Sequence, residues 1–380
     1  MQTDTTTAAT VILGGGYAGV MAANRLAGRG QDTVLLTPDP RFTERIRLHE
    51  FTAGGRADPT QDYRSLLHPA VRLVAGAAAA IEPSARTVHL ASGDSMGYEY
   101  LVYAVGSGSA PAPAGAVAPD RLDGAREARR RLRELARGER IAVVGGGLTA
   151  VEMAAEIARR YPDNPLTLYA SGTLVPQLAE STRSGMLESL RRAGVEVHAG
   201  TVDPENLPEA SLVLWCVGFG VPSLAARSGL PVNADGRLVV DSSLRVPGQD
   251  RIFGAGDAAV IGAPGYGYLP MTCATAMPMG AEAASNILRL QEGEPLPRHD
   301  SGFQAQCISL GRRDGAVQFL TPGFTPRRLH VHGRSAAVLK EVICRMTLRW
   351  IRGEARKSGA YTWPRGPKLN PQPVPRAAWA

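Results

Sequence analysis

The sequence predicts an α/β chain in which two parallel-sheet units share one polypeptide and a smaller α+β module follows them. Three observations predict it. "VILGGGYAGVMAANRLAGRG", from Val11, runs from an apolar strand through a glycine-rich turn into a small-residue helix. "IAVVGGGLTAVEMAAEIARR", from Ile141, repeats that plan 130 residues later, and "DRIFGAGDAAVIG", from Asp250, brings a third apolar strand to a glycine pair and an aspartate.

In the first copy Gly14, Gly16 and Gly19 give G-x-G-x-x-G, with Tyr17 and Ala18 inside the motif. The first glycine makes the tight turn, the second lets a pyrophosphate approach the backbone at the helix N-terminus, and the third permits close helix–strand packing. A plain glycine turn of an α/β domain is the competing reading of one such motif. "QDTVLLTPDP" supplies the next strand, but Thr37 stands where a ribose-binding acid is usual, with Asp39 two residues on. Thr37 still offers a hydroxyl to a ribose.

The second copy places Gly145, Gly147 and, in the third small position, Ala150, with Leu148 and Thr149 between and Glu152 one turn into the helix. Its next strand, "LTLYASG", ends on Ala170 and Ser171, so neither an acid nor an arginine selects between NADH and NADPH. Arg183 is a candidate for a 2′-phosphate, against a solvated arginine. Two Rossmann-like dinucleotide-binding units in one chain are what an enzyme needs to pass electrons from a nicotinamide to a flavin. A vestigial second site is the alternative.

After "DRIF", Asp257 at the mouth of a new turn resembles the second flavin fingerprint, in which an aspartate bonds the ribityl chain; a capping aspartate is the competing reading. The helix in "LPMTCATAMPMGAEAASNIL" resembles the segment whose N-terminus faces the flavin ring, with Thr272, Cys273 and Ala274 as contacts.

The order of "GGGYAG", "LVYAVGS", "VVGGGLTAVE", "LWCVGFG", "GRLVVDSSLRV", "IFGAGDAA" and "CISLGRRDGAVQF" resembles the FAD-dependent pyridine nucleotide oxidoreductase superfamily. Within it, the branch of type II NADH:quinone oxidoreductases and apoptosis-inducing-factor-like proteins is the nearest. The resemblance implies an FAD-binding domain split into residues 1–112 and 245–300, an NAD(P)H-binding domain at 113–244 and a C-terminal module at 301–380. It implies FAD and NADH or NADPH as cofactors, hydride transfer to flavin N5, and Glu152 near the nicotinamide in a positional role. Arg45, Ala78, Gly106, Gly218 and Gly256 join the cofactor-binding set by the same resemblance, and Cys273 joins Glu152 as a catalytic candidate.

The rest of the sequence bounds the acceptor. Cys216, Cys273, Cys307 and Cys344 are far apart, so neither a dithiol pair nor a paired metal site is expected. The H-x-H pair His330 and His332 lacks neighbouring ligands, and no histidine, His49 included, is compelling. Only Lys340, Lys357 and Lys368 are lysines among the 42 basic residues. Residues 301–380 carry 14 basic residues against three acids, a basic module on a mildly acidic body. The basic stretch "AREARRRLRELA" reads as a solvated helix face, and nucleic acid is not an expected partner.

The start carries no cationic flank and apolar core of a signal peptide, and no run is long enough to span a bilayer, so a cytoplasmic protein is expected. In "AAVLKEVICRMTLRWIRGEARK", Leu339, Val342, Ile343, Met346 and Trp350 recur at helical spacing with Arg345, Arg349, Arg352 and Arg356 beside them. Such a helix suits the inner face of a membrane and a quinone acceptor, or packing on the FAD domain or on a second subunit of a homodimer. A tailoring flavoenzyme acting on a small metabolite, with Tyr266 and Tyr268 lining its pocket, and a non-catalytic redox sensor are the other readings. The end, "YTWPRGPKLNPQPVPRAAWA", is expected to be extended.

Overall fold

Each glycine turn joins a strand to a helix, as the apolar runs require. In the computed structural model, which describes residues 6–108 and 110–368, β1 (Thr6–Leu13) leads to α1 (Tyr17–Ala27) and then β2 (Thr33–Thr37). With β3 (Val71–Ala75), β4 (Ser95–Tyr103) and β9 (Gln249–Gly254) these strands form a parallel sheet in the order β3-β2-β1-β4-β9. A hairpin of Ala78–Glu82 and Thr87–Leu90 is added beside β4, and the short strand Arg245–Val246 closes the far edge. All eleven residues of α1 are buried. Its small residues let α6 (Cys273–Glu292) lie on top: a Cβ on Gly280 would stand 2.0 Å from the Ala18 carbonyl oxygen.

The second sheet repeats the plan. β5 (Ile141–Val144) feeds α4 (Leu148–Arg160), and with β6 (Leu166–Ala170), β7 (Val195–Ala199) and β8 (Leu212–Trp215) it gives the parallel order β7-β6-β5-β8. Ala116–Val117 adds an edge strand beside β8. α5 (Glu180–Arg192) covers one face, and α3 (Leu122–Glu134) touches α2 (Leu48–Thr52). Where the chain leaves and re-enters the first unit, Gly108 and Gly220 exchange both backbone hydrogen bonds, at 2.8 and 2.6 Å. The return therefore falls near 220, earlier than the expected 245: Leu224, Leu230, Leu238 and Leu244 pack in the first core.

The C-terminal module is an antiparallel sheet of β10 (Ala305–Ser309), β11 (Gly315–Leu320) and β12 (Pro326–His332), crossed by α7 (Gly333–Arg356). The buried face of α7 is Ala336, Lys340, Cys344, Thr347, Leu348, Ile351 and Glu354, and not the Leu339–Trp350 stripe the spacing suggested. The helix packs on its own sheet and on α1 together, so its inner face is set by two neighbours. Its buried charges are paired. Arg25 of α1 forks onto Glu354 at 2.7 and 3.2 Å, and Lys340 meets Glu152 of α4.

Residues 361–368 of the tail form no helix or strand and are docked on the body. Tyr361 is buried with its N–H on Glu354, and the Trp363 indole N–H donates to the Asp300 carbonyl at 2.9 Å. The rest of that tail, 369–380, and the first five residues lie outside the described residues.

Candidate active site

Both glycine turns carry the geometry their spacing predicts. Gly14 has φ +104°, and a Cβ there would lie 2.3 Å from the Ala104 carbonyl oxygen; one on Gly19 would lie 1.9 Å from that of Gly14. Gly145 has φ +144°, and a Cβ there would lie 2.6 Å from the Cys216 carbonyl oxygen, while Ala150 is fully buried. Gly16 and Gly147, the helix N-caps, behave differently. Their φ values, −78° and −88°, suit any residue, and a Cβ on either would meet nothing within 4 Å. The fold does not require glycine at these two positions. Space for a pyrophosphate would.

Thr37 is buried at the end of β2, where its hydroxyl accepts the Asp39 N–H at 3.3 Å and Tyr63 closes over it to donate to the Gly15 carbonyl at 2.9 Å. Ala78 lies on the neighbouring hairpin, three residues past Ala75, the partner of Thr37 at the same sheet edge. Neither reaches the central cavity.

That cavity, about 370 Å³, lies between the two parallel-sheet units and the C-terminal module. Gly16, Tyr17, Ala18, Arg45, Gly106, Leu148, Thr149, Glu152, Gly256, Asp257, Thr272, Cys273 and Ala274 all line it, so the fold gathers most of the sequence candidates. Gly218 stands just outside, beside the lining residue Phe219. On one wall Ser107 Oγ donates to Asp257 Oδ2 at 2.7 Å. Arg45 donates to the Ser107 carbonyl at 2.9 Å and stands 4.0 Å from Asp257 and 3.9 Å from Asp120. Gly256 has φ +77° and abuts Ala18, tying the third glycine motif to the first turn. The N-terminus of α6 opens on the cavity at Thr272, which makes no side-chain cap of its own. The first N–H groups of a 20-residue helix thus face the space.

Opposite, Glu152 is buried among three elements. Its Oε1 accepts the Ser309 N–H at 2.8 Å and the Lys340 ammonium, and its Oε2 stands 3.7 Å from His49 Nδ1. Burial alone would raise the Glu152 pKa, but the Lys340 charge and then His49 hold it below the usual carboxylate range. Lys340 is raised in turn: burial disfavours its charge and Glu152 more than restores it. His49 is pushed down to about 4, chiefly by burial, and is neutral at physiological pH. Behind the pair, Glu156 is raised by burial and accepts the Ser309 hydroxyl at 2.9 Å. Three residues that line the cavity also carry a buried side-chain atom with no hydrogen-bond partner among the described residues: the Tyr17 hydroxyl, His49 Nε2 and Gln306 Oε1. Open N-cap glycines and a donor helix end together fit a dinucleotide cofactor.

Several residues here were not legible in the sequence. Ser309, Ser107 and Gln306 carried no signal. Lys340 carried one, since a mid-helix lysine is rare in a chain whose cations are nearly all arginine. Cys273, Cys307 and Cys344, distant in sequence, line the same cavity; burial pushes the first two up to about 12 and raises the third, so they stand as thiols. Tyr266 and Tyr268 do not line it: their hydroxyls donate to the His299 and Ser301 carbonyls at 2.9 and 2.8 Å. Arg183 is held by the Leu178 carbonyl at 3.2 Å, and no metal-binding group of three ligands occurs among the described residues.

Residues 8–280 match the sequence profile of the pyridine nucleotide-disulphide oxidoreductase family. The chain belongs to that family. It is an FAD-dependent NAD(P)H oxidoreductase with two Rossmann-like units, as its glycine motifs imply. Among its relatives, ferroptosis suppressor protein 1 of Xenopus laevis is 30% identical over 337 residues, covering 81% of this chain and 88% of the relative. A type II NADH:quinone oxidoreductase of Haemophilus influenzae is 28% identical over 239 residues, 56% of this chain and 54% of that one. The solved structure of NDH2 from Plasmodium falciparum in complex with NADH superposes with a TM-score of 0.73 over 93% of this chain and 99% of that one, at 16% identity, a likeness of fold. No helix among the described residues is long and apolar enough to cross a membrane.

Proposed function

We propose that this family member takes hydride from NAD(P)H bound at the second glycine turn and delivers electrons to a quinone in the central cavity. The observation that carries the reading is the buried Glu152–Lys340 pair set across a single cavity from the N-terminus of α6. FAD supplies the hydride-accepting and electron-passing chemistry when bound. Gly16 gives its pyrophosphate room, Asp257 with Arg45 and Ser107 holds the ribityl side, and the N–H groups of Cys273 and Ala274 favour negative charge at the ring edge. Phe303, Phe324, Ile343 and Met153 give the cavity apolar walls for a quinone ring.

Quinone reduction consumes protons as well as electrons. Lys340 is the charged donor within reach of that ring, and Glu152 keeps it protonated; the Ser309 N–H fixes the carboxylate that does so. Cys273 is a thiol packed at the helix end and contributes contact without nucleophilic chemistry.

A peripheral membrane contact extends the same reading. The outer side of α7 and β12 exposes Leu329, Val338 and Val342 among Arg328, Arg334, Arg345 and Arg349, an apolar and basic face that suits an anionic bilayer carrying the acceptor. The decisive experiment mixes the yellow protein anaerobically with NADH or NADPH and then with a soluble quinone. Bleaching of the flavin band by the nucleotide, and its return with quinone, are expected. Bleaching without return would remove the quinone assignment, and no bleaching would remove the donor site.

A further inference from the structure

One aromatic side chain at the cavity is placed against the usual tendency. Of the seven phenylalanines, six are buried or half-buried, whereas Phe219 is 62% exposed. It sits on the arch from Cys216 to Gly220 that leaves the carboxyl end of β8. In the strand order β7-β6-β5-β8, that end adjoins β5 at the switch point where open α/β sheets bind their ligands. Both feet of the arch are pinned: the Cys216 N–H donates to the Val144 carbonyl at 2.8 Å, and Gly220 is bridged to Gly108. Between them Gly218 has φ +76°, so the arch turns sharply and presents the ring over the crevice. The same cavity wall carries Leu148 and Thr149 of the second glycine turn.

We propose that Phe219 is the ring that covers the nicotinamide half of the bound donor, a contact that rests on the donor site argued above. A planar nicotinamide lying in the crevice gives the exposed face an aromatic partner and takes it out of water. The pinned feet place the ring over the crevice.

The test is the NADH-concentration dependence of anaerobic flavin bleaching in the full protein. Phe219→Ala is expected to raise the half-saturating NADH concentration about tenfold, with the limiting rate changed less than about threefold and FAD content unchanged. Phe219→Leu falls between, and the Trp of Phe219→Trp should show an emission change that titrates with NAD⁺ or NADH. Identical saturation curves for wild type and Phe219→Ala overturn the proposal while leaving the donor site intact. A raised half-saturation for quinone with that for NADH unmoved overturns it as well, placing the ring at the acceptor. A wild-type protein bleached by neither nucleotide removes the donor site, and the cover with it.

Discussion

The two glycine turns share a plan and differ in what surrounds them. At the first, α1 is buried along its whole length beneath α6 and α7, the Arg25–Glu354 fork locks the C-terminal helix across it, and Tyr63 seals the Thr37 side. At the second, eight of the thirteen residues of α4 are buried, Thr149 in its first turn is exposed, and Phe219 stands in water. Enclosure of a bound ligand slows its escape, and exposure lets it exchange. Under the proposed function, the same turn chemistry would serve a retained cofactor in one unit and a co-substrate that must leave each turnover in the other.

The largest expected effect separates the two turns directly. Gly16→Val and Gly147→Val each add a side chain into open space at an ordinary φ, so both variants should fold. Gly16→Val should purify without its flavin absorbance band. Gly147→Val should keep that band but lose bleaching by NAD(P)H. Asp257→Ala is expected to lose most of its FAD, and a full flavin spectrum in that variant would refute the ribityl assignment.

Next in size is Lys340→Met, which leaves the Glu152 carboxylate buried without its partner. A cost of about 3–5 kcal/mol in urea unfolding is expected, together with loss of quinone turnover. Glu152→Gln with Lys340→Met should recover much of the stability and none of the turnover. Full recovery of both would show the pair to be structural alone.

A smaller effect tests His49. Because burial lowers its pKa to about 4, the unfolded chain binds a proton there between pH 6.5 and 4 that the folded chain does not. Stability should therefore fall as pH drops through that window, by about 2 kcal/mol between pH 7 and pH 5 from this residue. His49→Gln should flatten that part of the urea-midpoint profile. The smallest effect is expected at Val338 and Val342: replacing both with Glu should shift stability by under about 0.5 kcal/mol and leave flavin bleaching unchanged. Co-sedimentation with anionic liposomes should drop. Unchanged sedimentation would assign the basic face to solvent.

The sequence by itself determined both dinucleotide units, because each of their glycine duties is local: a tight turn, a close backbone approach, a helix start a few residues on. Asp257 and the α6 N-terminus were legible through their resemblance to a flavin fingerprint, and both line the cavity. Tertiary structure alone decided what closes the cavity. Glu152 meets Lys340 across 188 residues and Ser309 across 157, and three separated cysteines converge on one wall. The inner face of α7 likewise depended on which two surfaces it packs against. Periodicity assigns one apolar stripe to a helix, and it cannot register that a buried lysine and a buried glutamate are made stable by partners elsewhere in the chain.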